Sequence, residues 1–128
     1  MELQPGVSYA AGVAYLRVTR NLELEILLTL QRAGEIHKQR SWKMPIGKFE
    51  KGRDGDLKDT AAREFREESG YIISREDLSH ALCSRFRIKS KRADAGELHE
   101  DVIFLVLKGT EPEQSETPLD SEVETAKF

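Results

Sequence analysis

Three glutamates on one predicted helix are the side chains of this sequence best placed for chemistry. Glu64 and Glu68 are four residues apart, and Glu67 follows Glu64 by three, so on a helix all three face the same region. Like charges at this spacing repel each other, and a bound hard cation such as Mg²⁺ would reverse that effect. The same pattern also occurs on solvated helix faces, with Arg63 and Glu67 as an ordinary ion pair. The helix alone leaves both interpretations open and favours the solvated face.

The elements that must position these glutamates can be predicted from capping and periodicity. Asp56 is a suitable N-cap, and Gly70 is the expected C-terminal stop, so the helix occupies the residues between them. Leu57, Ala61 and Phe65 recur at i, i+4 and i+8 and predict its buried stripe. A second, short helical turn is predicted after Ser74.

Alternating and apolar runs predict strands at residues 8–18, 22–30, 81–90 and 101–107. The first two suggest an antiparallel pair, and the last is apolar enough to be buried on both faces. Residues 91–98 are predicted to be a polar loop. Several strands around one firm helix indicate an α/β fold, with a mixed sheet and helices packed on it, in a single domain over residues 1–128.

Composition limits the classes of function. The chain has 128 residues, 34% of them charged, and a net charge of -3, which argues against a general nucleic-acid binder. Cys83 is the only cysteine, so an internal disulfide and a cysteine metal cluster are excluded, and Cys83 is expected to be a small buried residue. No apolar run approaches the length of a membrane span. No secretory signal is evident at the N-terminus, and we expect a cytoplasmic protein.

The segment from residue 47 to residue 71 resembles the signature of the Nudix hydrolases. That pattern is Gly, five residues, Glu, seven residues, then Arg-Glu-apolar-any-Glu-Glu-any-Gly-apolar. Its second half is matched at every specified position, by Arg63, Glu64, Phe65, Glu67, Glu68, Gly70 and Tyr71. The resemblance implies a mixed β-sheet sandwiched by helices. It also implies that the chain ends before a C-terminal helix that many members have.

The first half of the signature departs from the family pattern. Sixteen positions separate Gly47 from Arg63, where the pattern has fourteen, so the loop carries a two-residue insertion. Arg53 or Gly55 falls where the first Glu is expected. In the family that Glu mainly pairs with the box arginine, and we expect Asp54 or Asp56 to substitute for it.

The resemblance implies a metal-dependent hydrolase that cleaves a pyrophosphate in a nucleoside-diphosphate-linked small molecule. Glu67 and Glu68 would be primary ligands of Mg²⁺ or Mn²⁺, Glu64 a further ligand or the base, and Gly47 a carbonyl ligand. Arg63 would orient the glutamates. A base from a later loop is also known in the family, and Glu97 and Glu100 are candidates, although solvation of the loop explains them at least as well.

Substrate contacts are predicted for Arg85, Arg87, Lys89, Phe86 and Trp42. Three cations on one strand face concentrate positive potential, although a solvated outer face or a protected sheet edge explains them equally well. Trp42 could stack on a base or be a packed anchor. No marker for ADP-ribose or diadenosine polyphosphates is evident.

Two functions remain in competition at this point. The first is a metal-dependent pyrophosphohydrolase, which could be a homodimer and which does not bind membranes. The second is a Nudix-like domain that binds or senses a nucleotide without hydrolysing it. The lengthened loop between Gly47 and Asp56 is the feature that favours the second.

Overall fold

A computed structural model describes residues 3–33, 39–89, 98–116 and 118–128. Within these residues the strands are β1 Val7–Val18, β2 Leu24–Ile26, β3 Leu28–Gln31, β4 Ser41–Lys43, β5 Ile46–Lys48, β6 Tyr71–Ile72, β7 Leu82–Lys89, β8 Leu98–Lys108, β9 Glu113–Gln114 and β10 Val123–Lys127. The helices are α1 Leu57–Ser69 and α2 Arg75–His80. None of the described helices is long and apolar enough to cross a membrane.

The larger sheet is mixed, as predicted. Its strand order is β2-β1-β8-β7, with β5 also paired to β1. Strands β1 and β8 run parallel over eleven registered pairs, from Val7 opposite Leu98 to Arg17 opposite Lys108, and the other pairings are antiparallel. A smaller sheet has the order β10-β3-β4, and β6 pairs with β9. The predicted α/β fold class is confirmed.

Helix α1 lies between the two sheets and has the predicted ends. It packs against β1 and β5 of the larger sheet and against β3 and β10 of the smaller one. The Asp56 side chain caps its start by accepting from the Asp59 N–H at 2.9 Å. Gly70 ends it in the left-handed region with φ of 77°. Leu57, Ala61 and Phe65 are buried in one core with Val13 of β1 and Phe104 of β8, so the predicted stripe is correct.

The strand predicted over residues 22–30 divides into two. Residues 24–26 pair with β1, whereas residues 28–31 belong to the smaller sheet. Leu27 lies at the break, fully buried, and its N–H donates to the Tyr15 carbonyl at 3.0 Å. The sequence stays apolar where the chain passes from one sheet to the other. The sequence pattern therefore did not reveal that the strand divides.

Strands β7 and β8 correct three predictions. Strand β8 starts at Leu98, so Glu100 lies within a strand rather than in a loop. Leu107 at its far end is 59% exposed, so β8 is not buried on both faces. Cys83 is exposed because β7 is an edge strand, exposed along its whole length. The predicted loop at 91–98 and Glu97 fall outside the described residues except for Leu98.

Candidate active site

The three glutamates of α1 lie together along one cleft, as predicted. This cleft has a volume of about 460 Å³ and is formed where α1, β5 and the segment before β10 meet. Gly47 and Arg63 also line it, so all the residues that the sequence assigned to the metal and its immediate support are brought together. Three further cationic residues share the lining: Lys43, Lys48 and Arg53.

Arg63 is the buried centre of the site. Its side chain is only 8% exposed, and its Nε and Nη2 donate to the two carboxylate oxygens of Asp54, each at 2.9 Å. Nη2 also donates to the Lys48 carbonyl at 3.0 Å, and Nη1 donates to Glu64 Oε1 at 2.8 Å. This planar guanidinium therefore connects the loop, strand β5 and the acidic face of α1.

Asp54 takes the place of the glutamate that the signature lacks. Besides Arg63, its carboxylate accepts from the Glu50 N–H and the Thr60 hydroxyl, both at 3.0 Å. These partners, with Arg63 first, hold the pKa of Asp54 down at about 2. The loop reaches this position through a turn in which Gly52 has φ of 91°, a conformation that favours glycine. Of the two substitutes expected from the sequence, Asp54 pairs with Arg63, while Asp56 caps α1 and pairs with Arg75.

Gly47 is required by the closeness of Glu64. A Cβ at Gly47 would lie 2.0 Å from Cδ of Glu64 and 2.2 Å from its Oε1. No side chain could be accommodated there without moving the carboxylate. The glycine therefore lets Glu64 lie directly against the backbone of β5, where it is 13% exposed.

Glu67 is held by two arginines. Its Oε1 accepts from Arg53 Nη2 at 2.7 Å, and its Oε2 lies 3.4 Å from Arg63 Nη1. Arg53 comes from the lengthened loop and also contacts Glu50 at 3.3 Å. The loop insertion thus adds a cation to the acidic cleft.

Burial makes the remaining two carboxylates harder to ionise. Desolvation raises the pKa of Glu68 to about 7, although Lys43 and the Ile46 N–H, which donates to Oε2 at 3.1 Å, act in the opposite direction. Burial also raises the pKa of Glu64, against the effect of Arg63. Glu64 and Asp120 each add to the shift at Glu68 by like-charge repulsion. Burial, with like-charge repulsion as a smaller contribution, therefore disfavours ionisation of both carboxylates.

The donor chemistry of the cleft fits a hard divalent cation. Carboxylate oxygens are the ligands that Mg²⁺ and Mn²⁺ prefer, and a cation would favour the ionised form of Glu68, which burial first and like-charge repulsion second disfavour. Among the residues that the structure describes, no three potential ligand side chains are arranged to hold a metal as they stand. Glu64 and Glu67 are paired with arginines instead. Binding would require Glu67 to exchange an arginine for the metal.

Asp120 is a residue of the cleft that sequence reasoning missed. Its N–H donates to the Glu67 carbonyl at 2.7 Å, and its carboxylate accepts from the Glu122 N–H at 2.9 Å. No periodic pattern or motif surrounds Asp120 in the sequence, so no local signal marks it as part of the cleft.

Glu100 is buried outside this cleft. Its carboxylate is 5% exposed and pairs with Arg85 at 2.5 Å and Arg87 at 3.3 Å. Strand register places Arg87 opposite Glu100. The basic side of β7, predicted to be a phosphate-binding or solvated face, therefore has two of its three cations engaged by one internal carboxylate.

The other predicted substrate contacts are also separate from the glutamates. Phe86 is 59% exposed on the outer side of β7, and Trp42 is 43% exposed, with the Lys127 ammonium 5.1 Å from its ring centroid. Neither is among the described residues that line the cleft. Lys89 lines a different, larger cavity at the N-terminal end of β1.

Comparison with known proteins agrees with the fold. A family model described as the NUDIX domain matches residues 8–128. Comparison with curated protein sequences gives no significant match.

Solved structures similar to this chain include several Nudix proteins. A MutT/nudix family protein from Enterococcus faecalis has 19% identity and a TM-score of 0.64 over 99% of this chain and 45% of its own. A C. elegans Ap4A hydrolase binary complex has 23% identity and a TM-score of 0.57 over 94% and 77%. A bifunctional NMN adenylyltransferase/ADP ribose pyrophosphatase from Francisella tularensis, complexed with AMP and a Mn ion, has 16% identity. Its TM-score is 0.61, over 99% of this chain and 34% of its own. The resemblance to the Nudix family stated from the sequence is confirmed.

Asp54→Asn should strongly destabilise the protein. The substitution leaves the buried guanidinium of Arg63 without its charge partner, which costs about 3 kcal/mol or more of unfolding free energy. The pKa of Asp54 is depressed, so its contribution is present above its ordinary pKa and is lost as the pH falls from about 4 toward about 2. Urea unfolding of both proteins between these pH values measures the difference. The matched control Asp59→Asn, at a half-exposed ion pair, should cost at most about 1 kcal/mol.

Glu68→Gln should raise stability at neutral pH. Because the folded state raises the pKa of Glu68 to about 7, the native protein loses stability as the pH rises from about 4.5 to about 7. The amide removes this loss, so the unfolding free energy of the variant should vary less over that window when metal is chelated. The exposed control Glu23→Gln should keep the native slope. An identical slope in Glu68→Gln would contradict the assignment.

Proposed function

Since this chain belongs to the NUDIX family, we propose that it hydrolyses a pyrophosphate bond in a nucleoside-diphosphate-linked substrate, using Mg²⁺ or Mn²⁺. The observation that carries the proposal is the convergence of Glu64, Glu67 and Glu68 on one cleft around the buried Arg63. Two of these carboxylates are desolvated enough to have raised pKa values. Ionising these buried carboxylates costs free energy without a cation, and a bound cation would make their ionised form favourable.

The metal ligands would be the carboxylates of Glu67 and Glu68, with Glu64 and the Gly47 carbonyl as further donors. A divalent ion at this point neutralises phosphoryl charge and lowers the pKa of a bound water. Arg63 acts as a positioning residue, because its guanidinium is occupied by Asp54, Lys48 and Glu64. Lys43, Lys48 and Arg53 supply positive charge to the same cleft and suit an anionic substrate.

Of the bases considered from the sequence, Glu64 is better placed than Glu100. It lies in the cleft, its pKa is raised by burial, and its carboxylate is against β5 beside the other glutamates. A raised pKa brings a carboxylate closer to the pH at which a general base works well. Glu100 remains a prediction as a base, and its carboxylate would first have to leave Arg85 and Arg87.

The lengthened loop no longer favours a domain that only binds nucleotides. That alternative depended on the missing glutamate, and Asp54 now makes the pairing with Arg63 that the glutamate would make. The small-molecule substrate, the cytoplasmic location and a homodimer remain proposals from the sequence.

Turnover should depend on Glu67. The protein is incubated with nucleoside triphosphates, nucleotide sugars and dinucleotide polyphosphates in the presence of Mg²⁺ or Mn²⁺, and released phosphate is measured after phosphatase coupling. We expect at least one substrate to be hydrolysed, with kcat reduced by about a hundredfold or more in Glu67→Gln and no activity when the metal is chelated. Glu124→Gln, on β10 beside an exposed arginine, is the matched control. Tight nucleotide binding without turnover of any substrate would favour the binding domain instead.

Arg53→Gln should tighten metal binding. Arg53 holds Glu67 Oε1 at 2.7 Å, so a metal at Glu67 must compete with this ion pair. Exposed ion pairs contribute up to about 1 kcal/mol, which corresponds to an apparent Kd for Mn²⁺ about two- to fivefold lower in the variant. Titration followed by electron paramagnetic resonance measures it without substrate. Arg40→Gln, which breaks an exposed ion pair elsewhere, should leave the Kd unchanged, and an unchanged Kd in Arg53→Gln would show that Arg53 does not compete.

A further inference from the structure

A second and larger cavity lies beside the acidic cleft. It has a volume of about 1300 Å³ and is formed by the segment that leads into β1, the end of β5 and the adjoining ends of β7 and β8. Lys48 lines both this cavity and the cleft. Phe49 and Lys51 line the cavity, whereas Glu50 and Arg53 line the cleft. The two spaces are therefore neighbours on either side of one short segment.

The wall of the cavity carries a continuous chain of hydrogen bonds through three polar side chains. Parallel pairing of β1 and β8 places Ser8 directly opposite His99. Ser8 Oγ lies 2.8 Å from His99 Nδ1, and His99 Nε2 lies 2.7 Å from Asp101 Oδ1. Both Ser8 and His99 line the cavity. These three residues have no role in the chemistry assigned to the glutamates.

The hydrogen-bond partners of His99 determine which atoms of these three side chains can bind a ligand. An aspartate carboxylate only accepts, so His99 Nε2 carries the proton and donates to Asp101. In the neutral imidazole Nδ1 is then an acceptor, and the Ser8 hydroxyl donates to it. The lone pairs of Ser8 Oγ remain available to an N–H or O–H donor of a ligand. The ring of His99 is held in one orientation by contacts on both of its nitrogens.

The rest of the lining suits a planar molecule that carries negative charge. Phe49 and Ile88 provide apolar surface, and most of the exposed lining is apolar. Lys48, Lys51 and Lys89 add three cations. Apolar walls with a few fixed polar groups are typical of sites for small molecules. A nucleoside with an attached phosphate matches all three features, through its ring face, its polar edge and its charge.

We propose that this cavity binds the nucleoside part of the substrate, with Ser8 contacting its polar edge and Lys48 next to the phosphate that leads to the cleft. The inference rests on the proposed function, which supplies the pyrophosphate site in the neighbouring cleft. It assigns Ser8 as a specificity-determining contact, His99 as the residue that positions the Ser8 hydroxyl, and Asp101 as the residue that positions His99.

Binding can be tested without catalysis. Metal-free protein labelled with ¹⁵N is titrated separately with AMP, GMP, CMP and UMP, and with inorganic pyrophosphate as the probe that lacks a nucleoside. We expect at least one nucleotide to shift the amide signals of Ser8, Phe49 and His99, and pyrophosphate to leave them unchanged. Ser8→Ala and His99→Ala should each raise the Kd for that nucleotide by about five- to tenfold. His80→Ala, an exposed histidine on α2 outside the cavity, is the matched control.

The outcomes separate this inference from the proposed function. The dispersion of the amide spectrum shows whether each variant is folded, and Ser8→Ala removes only one hydroxyl. If none of the four nucleotides shifts these signals, or if both variants bind as the native protein does, the inference is wrong. Hydrolysis that is lost in Glu67→Gln would then still support the enzyme. Nucleotide binding in the cavity without any hydrolysis would overturn the proposed function and leave the inference standing.

Discussion

The buried pair between Arg63 and Asp54 is the interaction on which the site depends. A guanidinium that is 8% exposed can be tolerated only if its donors are satisfied, and here the loop, strand β5 and α1 each supply an acceptor. The loop position, the orientation of Glu64 and the packing of α1 on β5 are therefore coupled through one side chain. Loss of any acceptor would leave a buried N–H donor of Arg63 without that partner, so the three elements cannot be repositioned independently.

Asp54 illustrates how a longer loop can accept a shorter side chain. The insertion moves the backbone by two residues relative to the family pattern, and aspartate has one methylene fewer than glutamate. The turn at Gly52 brings the aspartate backbone close enough for the carboxylate to reach Arg63, and the Glu50 N–H and the Thr60 hydroxyl fix its rotamer. The same insertion places Arg53 on Glu67. A change that conserves the structural pair has therefore introduced a competing cation at a predicted metal ligand.

Much of the fold and of the acidic site could be predicted from the sequence, because the relevant signals are local. Asp56 and Gly70 define the ends of α1 by capping chemistry, and the three glutamates share a face by helical geometry alone. Features that depend on distant segments could not be predicted. Glu100 was placed in a loop because the apolar run of β8 begins after it, whereas its burial is made possible by two arginines on the neighbouring strand.

Two opposite solutions for buried carboxylates occur side by side in this molecule. Asp54 and Glu100 are both nearly inaccessible, and each is compensated by arginine, so they act as fixed structural charges. Glu68 is almost as inaccessible, yet burial dominates over its partners and raises its pKa. A carboxylate that is buried with enough cationic partners stays ionised and stabilises the fold. A carboxylate that is buried with too few is harder to ionise, and a cation bound from solvent would stabilise its charge. This contrast, rather than the number of glutamates on α1, is what distinguishes the acidic cleft from an ordinary solvated helix face.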